Sequence, residues 1–350
     1  MLDNGRGFER TLLNHAGRVS LLTSTPAQSP FRDAERRIGG TLSVETIANT
    51  VVDERRGILE ALLHYELFGV AERVRWRMED IPWASLDRSK LSENLPGLVR
   101  QIALAELTTY AATRRFLQEF SADIDFTQWM SVWFYEETKH PHVLIRWLHD
   151  LGETLSSTEV VRGRITAPFM KSRFGMLVTN VISEVHASAT YVALARTTEE
   201  PVLKQIARNL AGDEARHATG FFVYARRALE RSSKPDEDRL EALKVLHMWL
   251  NENGQVQHPV NTVRLRTSGN DELVGGLSAA DGLADRHAAL QQRLARRRAL
   301  RLVASLTGFE LNGAEQVVER IRTLTRSGST SAVMSRRDGS MAAAQPEKET

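Results

Sequence analysis

The sequence predicts an all-α protein: a four-helix bundle with additional flanking helices. Two observations carry this expectation. Apolar residues recur at intervals of three and four through most of the chain, and no convincing strand is present. A third observation fixes the number of central helices. Four glutamates stand at inward positions of four separate periodic segments, where helices normally place Leu or Ile.

Residues 1–45 are mixed and are broken by "STPAQSP" and "RIGG", which read as turns, so an N-terminal arm is expected there. From Val44 to Arg77 the pattern is helical, with Ile58, Leu62, Tyr65 and Val70 at near-helical spacing. "MEDIPWASLDRSK" is a loop fixed by Pro82. One helix is expected from about Glu93 to Phe120, with the stripe Val99, Ile102, Glu106, Tyr110, Leu117. The next carries Trp129, Trp133, Glu137, His140, Leu144 and Trp147, and runs through Pro141 to Asp150. That proline removes a backbone donor and is a candidate kink.

After "LGETLSST" a less regular stretch leads to a helix from about Ser172 to Arg196, with Leu177, Val181, Glu184, Ser188 and Tyr191 on one face. "TTEEP" reads as a helix start with Thr198 as cap and Pro201 in the first turn. That helix reaches Glu230 and aligns Ile206, Leu210, Glu214, His217, Phe221 and Tyr224. "RSSKPDEDR" restarts a helix to about Trp249, and "NENGQVQHPV" and "RTSGNDELVGG" are loops. Ser278 with Asp281, and Asn312 with Glu315, resemble capping boxes for two last helices. One helical domain over 46–325 follows, with a disordered tail over 326–350.

The chemistry lies in a repeated order: Glu106, then Glu137-x-x-His140, then Glu184, then Glu214-x-x-His217. The glutamates are 31 residues apart in the first half and 30 in the second, so the halves look alike. Residues i and i+3 share a helix face, so each Glu-x-x-His offers a carboxylate and an imidazole to one point. A buried, unpaired carboxylate costs several kcal/mol, and four converging ones require protons, cations or metal. Two helices giving Glu and two giving Glu-x-x-His form the ligand set of ferritin-like dinuclear proteins. Four carboxylates balance two divalent ions. Oxygen donors with two imidazoles and no thiolate suit two iron ions, manganese being the other metal that fits, and argue against iron–sulfur clusters and structural zinc.

Composition sets the remaining bounds. Lys and Arg number 46 against 44 Asp and Glu, a net charge of +2, so nothing global suggests nucleic acid. There are no cysteines, which excludes disulfides and thiol chemistry and fits a reducing, cytoplasmic location. The start lacks the apolar core of a secretory signal, and no stretch approaches 18 apolar residues, so no membrane span is expected.

With these motifs in view, residues 55 to 325 resemble the soluble acyl-carrier-protein desaturases. "WFYEETKH" resembles that family's Trp-x-x-Glu-Glu-x-x-His box and "DEARH" its Asp-Glu-x-Arg-His box. Glu106 with Thr109 and Tyr110 resembles the first ligand helix, "RWRMEDIPW" an upstream Trp and Asp segment, and "LTGFELNGAEQVVERIRTL" the closing element. The resemblance implies metal ligation by Glu106, Glu137, His140, Glu184, Glu214 and His217. It further implies a homodimer using O2 and two electrons from ferredoxin to remove two hydrogens from an acyl chain on acyl carrier protein. By the same resemblance, electrons pass from Trp76 through Asp213 to His140. Asp213 is also four residues before His217 and so has a local rival partner.

An acyl substrate requires a long apolar slot, for which Phe116, Phe174, Met176, Leu177 and Phe221 are candidates, although the commoner role of any one such residue is ordinary core packing. An acidic carrier requires a basic surface, for which "RLARRRALR" and "MKSR" are candidates. One departure bears on the reaction. Family members often place Thr three residues after the third ligand Glu, and here that residue is Ala187, between His186 and Ser188. This leaves a dinuclear-iron hydroxylase, or an N-oxygenase on a carrier-tethered or small substrate, as the alternative. A ferritin-type storage or assembly protein needs a much shorter chain than this one.

Overall fold

A computed structural model describes residues 63–163, 170, 172–250 and 282–326. The expected arm over 1–45, the helix start near Val44, the loops after Trp249, the Ser278 box and nearly all of the 326–350 tail lie outside the described residues. All described residues belong to one compact unit, Ser43–Thr350.

Among them the secondary structure is entirely helical: α1 (Leu63–Val74), α2 (Leu95–Glu106), α3 (Thr109–Glu119), α4 (Ile124–Asp150), α5 (Ser157–Gly163), α6 (Arg173–Thr197), α7 (Pro201–Glu230), α8 (Pro235–Leu250), α9 (Gly282–Thr307) and α10 (314–326). The segment expected as one loop around Pro82 is three short 3₁₀ turns. Helices α6 and α7 form the central pair. Helix α4 packs on α7 and carries α1, α2 and α3 on its other flanks, while α8 and α9 cover α6. The four-helix arrangement with flanking helices expected from the sequence is therefore present.

Four local features differ from expectation, each for a readable reason. The first ligand segment is two helices, broken at Leu107–Thr108. Thr108 N–H bonds the carbonyl of Ala105 at 3.1 Å and Ala111 N–H that of Thr108 at 3.0 Å, the tighter i to i−3 pattern. A turn of three residues instead of 3.6 moves the inward face back by one position. Phe116 is consequently buried, while Leu117, expected inside, is 43% exposed.

Helix α7 is capped by Glu200 rather than Thr198. With Pro201 at the first helical position, the Glu200 carboxylate accepts from Val202 N and Leu203 N at 3.2 and 2.7 Å, and also from Trp147 Nε1 at 2.8 Å. At the start of α10 it is the Gln316 side chain, and not Glu315, that accepts from the Asn312 N–H.

The stretch read as irregular contains α5, begun by a reciprocal Ser156/Glu159 box. Glu159 N donates to Ser156 Oγ at 3.2 Å, and Ser156 N donates to Glu159 Oε2 at 2.8 Å. By contrast α4 does run unbroken through Pro141, which leaves the Glu137 carbonyl without its usual helical donor.

Two apolar clusters fill the bundle. One gathers Phe116, Phe126, Trp129, Trp133, Phe221 and Tyr224 with α8 and α9. The other gathers Trp76, Val143, Trp147, Leu194, Leu203 and Leu210. Between them, along α4, α6 and α7, lies a layer of buried carboxylates and imidazoles. Burying that layer between two hydrocarbon cores is expensive, and what its members touch explains how the fold tolerates it.

Candidate metal centre

The six side chains named from the sequence come together. Glu137, Glu184, Glu214 and His217 present ligand atoms within 4.8 Å of one another, and so do Glu106, Glu137 and His140. Glu137 belongs to both groups. Glu214 straddles them too, with Oε1 3.4 Å from His140 Nδ1 and Oε2 3.2 Å from His217 Nδ1. Helices α4 and α7 thus each supply a carboxylate between two positions, and α2 and α6 each supply one at an end. The two imidazoles lie 5.8 Å apart and turn Nδ1 inward.

Each outward Nε2 meets a carboxylate from the opposite half. His140 Nε2 is 3.2 Å from Asp213 Oδ2, and His217 Nε2 is 3.1 Å from Glu136 Oε2. Asp213 also accepts from Trp76 Nε1 at 2.8 Å, so it lies between His140 and Trp76. Its local rival, His217, is served by Glu136 instead. Arg216 bridges the two outer carboxylates, donating to Asp213 and, at 3.0 Å, to Glu136. Lys139 covers the Trp76 ring at 4.3 Å and donates to the Trp76 carbonyl at 3.2 Å.

Glu136 and Arg216 were not singled out in the sequence, although a signal for Glu136 existed. A second acid directly precedes the inward glutamate in both boxes, "EETKH" and "DEARH". Each such acid points across the bundle to the other half's histidine, a pairing that one helix alone cannot reveal.

The end carboxylates have partners of their own. The Tyr191 hydroxyl donates to Glu106 Oε1, and Trp133 Nε1 donates to Glu184 Oε1 at 3.3 Å. Thr109 Oγ1 donates to Glu137 Oε2 at 2.9 Å. Ser188, beside Ala187, faces elsewhere and donates to the Ala211 carbonyl at 3.0 Å. The slot candidates Phe116, Phe174, Met176, Leu177 and Phe221 are all packed into the first apolar cluster. The Phe116 ring lies 5.3 Å from Phe221 and 6.0 Å from Trp133.

Electrostatics identify what the layer lacks. Burial raises Glu106 to about 7, the His140 contact only partly opposing it. Burial and then the charges of Glu214 and Glu137 push Glu184 well above the usual carboxylate range. For Asp213 burial acts upward too, but the His140 hydrogen bond and the Arg216 charge hold it well below. Glu214 is likewise held low, against burial, by His140 and His217. Both imidazoles are driven up by the carboxylates around them despite burial. Burial and the neighbouring glutamates keep the Tyr191 phenol protonated, hence a donor.

One inward atom, His140 Nδ1, has no hydrogen-bond partner, while Glu137 Oε1 faces His217 Nδ1 at 2.8 Å. Oxygens and nitrogens converging at these distances, one of them unsatisfied, would suit two divalent ions, with Glu137 and Glu214 within reach of both positions. The outward imidazole nitrogens are already fixed by carboxylates, as is usual for metal-bound histidine. The residues present therefore fit a dinuclear metal group.

Comparison with known proteins finds similarity among solved structures. Over 73% of this chain and 94% of the other, the fold resembles the R2-like ligand-binding oxidase from Sulfolobus acidocaldarius, at 14% identity and a TM-score of 0.46. No protein-family model matches the sequence, and no curated protein does. No described helix is long and apolar enough to cross a membrane.

Proposed function

We propose that the chain is a dinuclear-iron, O2-dependent oxidoreductase that desaturates an acyl chain held on acyl carrier protein, with electrons from ferredoxin. The observation that carries the oxidoreductase reading is the convergence of Glu106, Glu137, His140, Glu184, Glu214 and His217, with two carboxylates placed between two positions. Bound there, two iron ions would supply the two-electron reduction of O2 needed to attack an unactivated C–H bond.

The chain's own residues do the rest. Asp213 and Glu136 orient the two imidazoles, and Arg216 holds both acids in place. The apolar clusters on either side exclude water from the layer. Trp76, 8% exposed and hydrogen-bonded to Asp213, is the inward route for an electron from a docked donor. On α9, Arg293, Arg297 and Arg301 are exposed four residues apart, a basic stripe suited to an acidic carrier. The desaturase reading also takes the working unit to be a homodimer.

The second reading, hydroxylation, draws on one observation: Ala187 offers no hydroxyl and Ser188 turns its own toward Ala211. Mass spectrometry of the acyl group decides between them. The protein is incubated with acyl carrier protein bearing a saturated chain, ferredoxin, its reductase and O2. Loss of two hydrogens supports the desaturase, gain of one oxygen transfers the activity to hydroxylation, and an unchanged acyl group rejects an acyl substrate.

A further inference from the structure

The two halves of the centre repeat in sequence but not in surroundings. At the Glu184–His217 position four ligand side chains converge and all are buried. His217 Nδ1 lies 2.8 Å from Glu137 Oε1 and 3.2 Å from Glu214 Oε2. At the other position His140 Nδ1 is farther from its carboxylates: 3.4 Å from Glu214, 3.6 Å from Glu106 and 3.8 Å from Glu137. The Glu106 side chain keeps 13% of its surface exposed, whereas its counterpart Glu184 is buried, with 6% of the residue exposed.

The backbone differs in the same sense. Glu184 sits mid-way in an unbroken helix, whereas Glu106 is the last residue of α2, directly before the tightened turn at Leu107–Thr108. A 3₁₀ interruption in a helix is a common hinge. Hydroxyl donors also gather on that side. Tyr191 holds Glu106 Oε1 and Thr109, three residues after Glu106, holds Glu137 Oε2. The matching place three residues after Glu184 is Ala187, and the Glu184 carboxylate takes the Trp133 indole N–H, at 3.3 Å, in place of a hydroxyl.

We propose that the two metal positions are unequal: the Glu184–His217 position fills first and stays closed, while the Glu106–His140 position is the exchangeable one. There an external small ligand, dioxygen in turnover or azide as its stand-in, gains access as Glu106 swings on the helix break. Tyr191 is the positioning residue that latches it. This rests on the dinuclear reading above but not on the identity of the organic substrate.

The test adds Mn2+ stepwise to the metal-free full chain and follows free Mn2+ by electron paramagnetic resonance. Two steps are expected, one ion each, with affinities at least ~10-fold apart. Glu184→Gln should remove the tight step, and Glu106→Gln only the weak one. Tyr191→Phe keeps the buried ring and should shift only the weak step, by about 10-fold, whereas Trp133→Phe should act on the tight step. In the Co2+-loaded protein, azide should change the visible spectrum only after the second ion is bound, and at lower azide concentration in Tyr191→Phe. Two ions bound with a single affinity, a Tyr191→Phe effect on the tight step, or an azide response with only the tight position filled would each overturn the inference. Failure to bind any ion would instead remove the dinuclear reading on which it stands.

Discussion

Replacing Asp213 by Asn tests the outer layer of the centre with almost no change in shape. The carboxylate is fully buried and accepts from Trp76 Nε1 at 2.8 Å, from Arg216 and from His140 Nε2 at 3.2 Å. An amide oxygen can keep the indole bond, but it cannot keep a charge-assisted bond to both cationic partners. Each of those is worth about 1.5–3 kcal/mol, and breaking a buried ion pair on one side typically costs about 3–5 kcal/mol. Arg216 still has Glu136, so the expected loss in the metal-free protein lies near the lower figure, about 3 kcal/mol.

The pH dependence has a definite sign. The folded-state pKa of Asp213 is depressed below its ordinary 3.8, so its stabilisation is present above that value and fades as pH falls further. The gap between the two proteins in urea unfolding should therefore be widest between about pH 5 and neutrality, shrink in stronger acid, and shrink again in base as His140, whose raised pKa depends partly on Asp213, gives up its proton. Metal affinity should fall about 10–100-fold, because His140 loses the acceptor that sets its orientation. A stability loss under about 1 kcal/mol, or metal binding equal to wild type, would refute the role assigned to this layer.

Other outcomes can be checked independently. Metal binding must displace protons from Glu106, raised to about 7, and from Glu184, so Mn2+ affinity should climb between about pH 6 and 8. The same raised groups make the metal-free fold lose stability as pH rises from the ordinary carboxylate value of 4.5 through about 7, so the gain in thermal midpoint on adding metal should widen over that range. Gly220→Ala would place a methyl 2.2 Å from Trp129 Cζ2, in a fully packed aromatic cluster, and should cost about 1–3 kcal/mol by thermal or urea unfolding. Trp76→Leu should slow ferredoxin-driven turnover while leaving metal content and chemically reduced single turnover nearly intact; equal loss in both assays would make Trp76 a packing residue only.

The sequence by itself determined the all-α class, the segments that carry the centre, and the six inward side chains that converge. These follow from helical periodicity: a Glu or His in register with Trp133, Leu144, Val181 or Leu210 must share their direction, whatever the helix later packs against. Tyr191, seven residues after Glu184 on the same stripe, was legible in the same way as an inward residue, although its partner was not.

The family resemblance implied that Asp213 serves His140, but helical spacing alone left His217 as a rival, and the tertiary structure decided between them. Asp213 is four residues from His217 in sequence and yet meets His140, while Glu136 crosses to His217. The break after Glu106 was equally hidden. Nothing in "AELTTY" forbids a continuous helix, and the i to i−3 turn persists because of what it packs in the bundle: Thr109 against Glu137 and Phe116 against Phe221. Local pattern sets which way a side chain points along its own helix. The partner it meets, and so the difference between two positions that look alike in sequence, depends on the rotation and depth at which neighbouring helices pack.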